Sequence, residues 1–180
     1  MNMTSLFSTP ERERILRYLL YNPEKKATMR QIAKELSVSP SQVHKYVSLL
    51  REAGILRGME LLDTPFVRSL RLTQNLLRLR DAKTIGLLKK KIPGLKGVGM
   101  FGSWAEGSNG GSSDLDLWIK VEKEPELLLL AETRRELEKR IGVSVDLVVL
   151  DEKRIKAHME KNPPFYFSLF YSIRLWGEVV

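Results

Sequence analysis

Hydrophobic residues in the first fifty positions recur every three or four residues, which is the spacing of one face of an amphipathic helix. This pattern predicts three helices, over residues 11–21, 29–36 and 41–53. The helix starts agree, because Thr28 and Gln31 have the spacing of a capping box, and Ser39 before Pro40 is a typical first turn. The second and third helices are therefore joined by a tight turn.

The next hydrophobic segments are shorter and are predicted as strands. Residues 55–62 and 66–72 can pair as a hairpin around Asp63, Thr64 and Pro65. Residues 74–91 are compatible with a helix that ends before the stop signal at 92–94. This helix is the expected joint between the two halves of the chain.

The second half of the chain mixes strand and helix patterns. Strands are predicted over 97–101, 115–121, 144–150 and 172–176, because their residues are apolar or alternate with period two. Helices are predicted over 103–107, 125–141 and the aromatic-rich stretch 162–171, which is expected to pack on the core. The fold class is therefore α+β, with a mixed sheet flanked by helices.

Charge divides the chain in the same place. The 180 residues carry a net charge of +8, but residues 1–92 hold 18 Lys and Arg against 8 Asp and Glu, whereas residues 93–180 hold 12 against 14. A basic half joined to a slightly acidic half suggests a module that binds nucleic acid beside a module that does not. Solvation of helix surfaces by Lys and Arg is the alternative.

The stretch TMRQIAKELSVSPSQVHKYVSLLREAGIL resembles the winged helix-turn-helix domains of bacterial and archaeal regulators. The resemblance implies that residues 41–50 are the recognition helix and that the hairpin is the wing. Gln can read a base edge and Lys or Arg can bind phosphates, so double-stranded DNA is the expected ligand. A winged helix that contacts protein is the alternative. The candidate DNA-binding residues are Ser41, Gln42, His44, Lys45, Arg51, Arg57 and Arg68.

Acidic residues mark the candidate site of the second half. Asp114 and Asp116 alternate with apolar residues, so both point to the same side of a strand, with Cα atoms about 6.6 Å apart. Asp146 interrupts an otherwise apolar strand, where a carboxylate is costly without a partner or a cation. Carboxylates that face a Gly-Ser turn suit a hard divalent cation and a phosphate.

The pattern GS-x-A-x-G, followed by SDLDL and later VDLVV, resembles the nucleotidyltransferase fold of the DNA polymerase beta superfamily. Its minimal and kanamycin-nucleotidyltransferase-like members are the most similar in pattern. The resemblance implies transfer of a nucleoside monophosphate, with ATP as the donor and two Mg²⁺ ions. It assigns catalysis and metal binding to Asp114, Asp116 and Asp146.

The same resemblance assigns nucleotide binding to a second set of residues, which are Gly102, Ser103, Gly107 and Ser113. The chain departs from the minimal relatives at Trp104 and Glu106, where many of them carry a basic residue. The loop 108–113 is rich in Gly and Ser and is expected to be flexible.

The predicted organisation is a winged helix-turn-helix domain over 1–74, a linker helix over 75–92 and a nucleotidyltransferase domain over 93–180. Minimal relatives often act as antitoxins that adenylylate a HEPN-type toxin, so a HEPN-type partner is implied. A homodimer is expected because winged-helix regulators often dimerise. The alternatives are a transcription regulator whose second domain only senses a nucleotide or binds a partner, and an enzyme of the aminoglycoside-modifying type.

The remaining expectations concern location. The longest apolar runs are too short to span a bilayer, and the first ten residues lack the basic start and apolar middle of a signal peptide. The chain has no Cys and therefore neither disulfides nor thiolate zinc sites. A cytoplasmic protein with no membrane contact is expected.

Overall fold

The computed structural model describes residues 6–22 and 27–180, and the chain divides into two compact units between Gln74 and Asn75. The elements of the first unit are α1 (Pro10–Tyr21), α2 (Met29–Leu36), α3 (Pro40–Glu52), β1 (Leu56–Arg57) and β2 (Glu60–Leu61). Helix α4 (Pro65–Asp81) follows and contains the boundary between the units.

The predicted helix starts of the first unit are confirmed. Thr28 and Gln31 form a capping box at α2, and Ser39 and Gln42 form a second one at α3, where Pro40 is the first helical residue. Between the two helices, Ser37 has a left-handed conformation with φ of 53°. Local side-chain hydrogen bonds therefore set the helix-turn-helix geometry.

The core of the first unit is built from one face of each helix. The inward residues of α3, which are Val43, Tyr46, Val47 and Leu50, are at most 1% exposed. The Tyr46 hydroxyl donates a hydrogen bond of 2.8 Å to the carbonyl oxygen of Leu6, so its polar atom is satisfied inside the core.

The predicted wing is only partly right. The short strands β1 and β2 pair with each other, around a turn at Gly58, within the stretch predicted as the first strand. Residues 66–72, predicted as the second strand, belong to α4 instead. The reason is a helix start at Thr64, whose hydroxyl accepts a hydrogen bond from the backbone N–H of Val67 at 3.2 Å. Arg68 therefore lies on a helix and not on a wing strand.

The second unit contains the end of α4 and nine further elements. These are α5 (Thr84–Lys91), β3 (Leu95–Phe101), α6 (Gly102–Glu106), β4 (Leu115–Val121), α7 (Leu127–Ile141), β5 (Val145–Leu150), α8 (Glu152–Lys161), α9 (Pro163–Phe170) and β6 (Ile173–Gly177). Residues 75–92, predicted as a linker helix, thus form the end of one helix and all of the next, and both parts lie in the second unit.

The four long strands form one mixed sheet in the order β5-β4-β3-β6. Strands β4 and β5 are parallel, whereas β3 is antiparallel to both β4 and β6. The parallel pair is connected through α7, as a parallel connection requires. The predicted mixed α+β fold is confirmed.

Alternation along β4 separates two faces of this sheet. Leu115, Leu117 and Ile119 point to one face and are fully buried. Trp118 points to the other face, where it packs with Leu150 and with Leu169 of α9. Gly99 of β3 pairs with Trp118 across the sheet, and any Cβ atom at position 99 would overlap the Trp118 indole. Asp116 shares this second face, two residues before Trp118.

The aromatic segment packs on the core only in part. Two of its residues pack inward. Phe165 contacts Phe101 edge-to-face, with ring centroids 6.0 Å apart, and Leu169 is buried in the core. Phe167 and Phe170 are more than half exposed, so the segment packs on the core through Phe165 and Leu169 and exposes these two rings. Within residues 6–22 and 27–180, no helix combines the length and hydrophobicity needed to cross a bilayer.

Candidate active site

Two carboxylates face each other across the parallel pair of strands. Asp116 of β4 is in register with Asp146 of β5, so both side chains point to the same face of the sheet. Asp114 lies two residues before Asp116, immediately before β4, and is exposed. Asp116 is half-buried, whereas Asp146 is exposed and avoids the burial cost expected from its apolar strand. The three acids predicted from sequence are therefore gathered at one end of β4.

Repulsion among these carboxylates is visible at Asp116. Burial raises the pKa of Asp116 above its usual value, and the negative charges of Asp146 and Asp114 raise the pKa further. Among the described residues, none of these three carboxylates forms an ion pair with Lys or Arg. A bound cation would relieve this uncompensated negative charge.

The turn after β3 lies directly against Asp116. Phe101 pairs with Asp116 across the sheet, and Gly102 follows with φ of 64°. A Cβ atom at position 102 would overlap Asp116 Oδ2, so only glycine fits both the backbone conformation and the space. This contact holds the Gly102-Ser103 turn next to the carboxylates.

Hydrogen bonds between residues close in sequence organise the segment between the Gly102-Ser103 turn and Asp114. Gly107 ends α6 in a left-handed conformation, and its N–H donates to the Ser103 carbonyl oxygen. The backbone N–H of Gly110 donates to Ser113 Oγ at 2.8 Å, and the indole N–H of Trp104 donates to the Ser113 carbonyl oxygen at 3.3 Å. Loop 108–113, expected to be flexible, is therefore hydrogen-bonded to itself and to α6.

The three acidic side chains meet only part of what a divalent cation needs. In the described part of the chain, no group of three or more His, Cys, Asp or Glu side chains is arranged to hold a metal ion by itself. In the described residues, the three acids therefore do not form a complete metal site by themselves. Unpaired carboxylates nevertheless fit Mg²⁺, which commonly takes one or two of them and completes its shell with phosphate and water oxygens.

The predicted DNA-binding residues lie on the surface of the first unit. Ser41, His44 and Lys45 are exposed on α3, and Arg57 is exposed on β1. Gln42 is exposed, but its side-chain oxygen accepts from the backbone N–H of Ser39 at 3.2 Å in the capping box.

The two remaining arginines of this set already have partners. Arg51 donates from Nε to the Gly58 carbonyl oxygen at 2.8 Å and so connects α3 to the β1–β2 turn. Arg68 forms two hydrogen bonds with Asp63, at 2.6 and 2.7 Å. Arg68 therefore presents a neutralised charge, unlike Lys45 or Arg57.

Comparison with known proteins finds a matching family profile in each of the two units. The profile of the nucleotidyltransferase domain family matches residues 82–172, which is half of the chain. The chain belongs to the nucleotidyltransferase family. A profile described as winged helix-turn-helix DNA-binding matches residues 12–57. Both resemblances inferred from the sequence motifs are confirmed.

Partial similarity is also found to one relative by sequence and to two solved structures. The protein adenylyltransferase MntA of Thermococcus cleftensis is 38% identical over 56 residues, which are 31% of this chain and 57% of that relative. A crystal structure of a toxin–antitoxin with AMP-PNP is 24% identical, with a TM-score of 0.45, over 56% of this chain and 75% of that one. A complex of tri-AMPylated Shewanella oneidensis HEPN toxin with MNT antitoxin is 20% identical, with a TM-score of 0.39, over 62% and 73%.

One buried residue near the nucleotidyltransferase site was missed from the sequence. Asn75 of α4 is fully buried and donates from Nδ2 to the Trp104 carbonyl oxygen and to Asn109 Oδ1. The available signal was an Asn directly before Leu76 and Leu77 in a predicted helix, where a buried amide would need partners. The partners are 29 and 34 positions away, so the sequence did not identify them.

Proposed function

We propose that this nucleotidyltransferase moves AMP from ATP to a hydroxyl group on a protein. The observation that carries the proposal is Asp116, which has Asp146 in register beside it and the Gly102 turn packed against it. Family membership supports the reaction type. The similarity to a protein adenylyltransferase supports a protein as the acceptor.

The reaction forms one bond and breaks one bond at the α-phosphorus of ATP. The acceptor oxygen attacks this phosphorus, the bond to the bridging oxygen of the β-phosphate breaks, and pyrophosphate leaves. The acceptor hydroxyl must lose its proton, and exposed Asp146 is the base that we propose for it. Asp114, Asp116 and Asp146 are the proposed ligands of Mg²⁺, which would neutralise charge on the phosphate oxygens.

The turn supplies the groups that we propose for phosphate binding. We assign phosphate binding to the backbone N–H groups of Gly102 and Ser103 and to the Ser103 hydroxyl, and the close packing of Gly102 on Asp116 supports this assignment. Gly107 and Ser113 shape the same segment through their hydrogen bonds to Ser103 and Gly110. The donor triphosphate would thus lie between the turn and the acids.

Transfer can be measured with Mg²⁺, ATP labelled at the α-phosphate and a candidate acceptor protein. The double variant Asp114→Asn with Asp116→Asn should lose transfer by at least about a hundredfold, because the phosphate charge is no longer neutralised. Asp81→Asn is the matched control, since Asp81 is an exposed acid of α4 that pairs with Arg80. Transfer that survives the double variant would refute the proposed metal ligands.

For the first unit, we propose binding of double-stranded DNA by α3 and the β1–β2 turn. The supporting observations are the winged-helix profile and the exposed residues Ser41, His44, Lys45 and Arg57, with Gln42, Arg51 and Arg68 as weaker candidates because their side chains have partners. This proposal places the DNA-binding domain in residues 1–74 and the transferase domain in residues 93–180.

Salt and a single lysine test the DNA proposal. Affinity for the protein's own promoter should fall with added salt, and Lys45→Ala should weaken binding roughly three- to tenfold and reduce the salt slope by about 1. Lys139→Ala is the control, because Lys139 is an exposed lysine of α7 in the other unit. Affinity that responds to neither salt nor Lys45→Ala would count against DNA.

The acceptor and the oligomeric state complete the proposal. A HEPN-type protein is the proposed acceptor, as the sequence resemblance implies, and a homodimer is the proposed assembly. Co-purification with a helical protein encoded next to this chain, followed by mass spectrometry, should reveal a mass increase of one or more AMP groups on a Tyr or Ser. An unmodified partner in the presence of ATP and Mg²⁺ would exclude it as the acceptor.

A nucleotide-sensing regulator is the second candidate, and one observation favours it. Trp104 is buried and Glu106 is exposed at positions where many minimal relatives carry a basic residue. A site with less positive charge beside the triphosphate is expected to stabilise the leaving pyrophosphate poorly, which would slow transfer more than binding. Binding of ATP that alters DNA affinity without any AMP transfer would favour the regulator.

A further inference from the structure

A buried amide of α4 is hydrogen-bonded to both sides of the segment that joins the turn to the carboxylates. Asn75 is fully buried, and its Nδ2 donates to the Trp104 carbonyl oxygen at 2.9 Å and to Asn109 Oδ1 at 2.8 Å. A carbonyl oxygen can only accept, so the NH₂ group of Asn75 must face Trp104. These contacts therefore fix the orientation of the amide.

Both partners of Asn75 are close in sequence to site residues. Trp104 immediately follows the Gly102-Ser103 turn, and Asn109 begins the loop that leads to Asp114. Asn109 is itself only 5% exposed, so this anchor lies inside the unit and not on its surface. The Asn75 amide thus links the turn side of the segment to its carboxylate side.

A second contact from α4 reinforces this arrangement. The Arg78 guanidinium lies over the Trp104 ring, 5.5 Å from its centroid, and Arg78 Nε donates to the Ile141 carbonyl oxygen at 2.8 Å. Helix α4 therefore holds Trp104 through its backbone and through its ring. The segment between Ser103 and Asp114 takes its position from this helix as well as from its own short hydrogen bonds.

The Asn75 amide also has a buried acceptor atom without a hydrogen-bond partner among the described residues. In the described residues, no donor reaches the buried Oδ1 atom of Asn75. A buried acceptor without a partner lowers the free energy of unfolding. An apolar residue at position 75 would not have this cost. Both hydrogen bonds that Asn75 donates to Trp104 and Asn109 come from its NH₂ group.

We infer that Asn75 is a positioning residue, which sets the distance between the phosphate-binding turn and Asp114 by holding Trp104 and Asn109 together. The inference rests on the proposed nucleotidyl transfer for its catalytic consequence, but its structural part does not. Misplacement of a bound group by about 1 Å can reduce a rate roughly a hundredfold.

The decisive variant is Asn75→Leu in the full chain, because leucine is similar in size and lacks the two donated hydrogen bonds. Amide hydrogen exchange measured by mass spectrometry should become about tenfold faster in peptides that cover residues 103–114. Peptides that cover residues 145–150 of β5 should be unchanged. Unchanged exchange over 103–114, or an equal increase throughout the second unit, would overturn the inference.

Two further variants separate positioning from general stability. Thr133→Val removes another buried hydrogen bond of the same unit, from Thr133 Oγ1 to the Leu129 carbonyl oxygen at 2.7 Å, and should leave exchange over 103–114 unchanged. Asn109→Ala removes the other side of the contact and should reproduce the effect of Asn75→Leu, which also covers the case in which Asn75→Leu does not fold. Faster exchange over 103–114 in Thr133→Val, to the same extent as in Asn75→Leu, would contradict the inference.

Kinetics test the catalytic consequence. With Mg²⁺, ATP and an acceptor that wild-type protein modifies, Asn75→Leu should lower kcat roughly 10- to 100-fold with little change in the KM for the acceptor. A wild-type protein that transfers no AMP would refute the proposed function, whereas the exchange experiment would still decide the role of Asn75. An unchanged kcat beside faster exchange over 103–114 would overturn the catalytic part of the inference.

Discussion

The two units place their candidate functional residues differently with respect to the hydrophobic core. In the first unit, Lys45 lies on the exposed side of α3, whereas the opposite side of the same helix is fully buried. In the second unit, Asp116 is half-buried and lies between Leu115 and Leu117, which are 0% exposed. The first unit carries its candidate residues on the outer surface of its core, whereas the second carries at least one of them, Asp116, at the edge of its core.

This difference predicts how strongly function and stability are connected in each unit. Exposed side chains on a finished core can be exchanged with little effect on folding. A half-buried carboxylate that is close to other carboxylates lowers stability, and the residues around it are constrained in size and backbone conformation. Substitutions at the acidic site should therefore change both function and stability. Substitutions on the exposed side of α3 should change function alone.

The largest effect is expected at Gly102. Alanine there would adopt φ of 64° and would overlap Asp116 Oδ2. We expect Gly102→Ala to reduce AMP transfer at least about a hundredfold and to cost roughly 1 kcal/mol or more in the free energy of unfolding. Transfer assays and denaturant unfolding would measure the two effects.

Gly58→Ala is the matched control for this substitution. Gly58 has the same φ of 64°, but a Cβ atom there would have no neighbour within 4 Å. Gly58→Ala should therefore lower the free energy of unfolding through its positive φ, but it should leave AMP transfer unchanged. If both variants transferred AMP equally well, the contact between the turn and Asp116 would not matter for function, and the contrast between the two units would fail.

A smaller effect of opposite sign is expected for Asp116→Asn in protein without divalent cations. The pKa of Asp116 is raised in the folded state, so the folded protein binds this proton more tightly than the unfolded chain. Stability therefore falls as pH rises from the unfolded pKa, near 3.8, through the raised folded pKa, and it stays lower above that pH. The variant should lack this loss.

Thermal unfolding in EDTA measures this effect. At pH 7 the Tm of Asp116→Asn should exceed that of the wild type by a few degrees at most, and the gap should vanish below the unfolded pKa. Excess Mg²⁺ should raise the wild-type Tm more than that of the variant, because ligands stabilise the state that binds them. A variant that is less stable than the wild type at pH 7 would show that Asp116 is a structural residue.

The smallest effect is expected for Arg68→Ala. Arg68 and Asp63 form an exposed ion pair, which contributes little to stability. We expect the Tm to change by no more than about 1 °C and DNA affinity to stay within about twofold, because Asp63 already neutralises this charge. A loss of DNA affinity as large as that for Lys45→Ala would restore Arg68 to the proposed DNA-binding surface.

The wrong strand at 66–72 shows where sequence reasoning failed although the signal was present. Ser39 before Pro40 was recognised as a helix start, and Thr64 before Pro65 repeats the same arrangement with the same type of hydrogen bond. Val67, Leu70 and Arg71 are buried at helical spacing. These local signals, and not the spacing typical of a wing, set the structure of residues 66–72.

The acidic site was predictable for a specific reason. Period-two alternation places Asp114 and Asp116 on one side of a strand, and an acid in an apolar strand identifies Asp146. Register is different, because the pairing of Asp116 with Asp146 depends on how β4 and β5 align after α7 connects them. That alignment follows from packing of both strands against helices, which no local pattern contains.

The sequence by itself determined the capped helix starts, the strand faces and the set of acids, since capping and alternation act between residues a few positions apart. Only the tertiary structure decided that Gly102 packs on Asp116 and that Asn75 holds Trp104 and Asn109. These contacts join residues 14 or more positions apart, and they depend on which side chains fill the same buried space. Burial and charge at the site are therefore properties of the packed unit and not of its motifs.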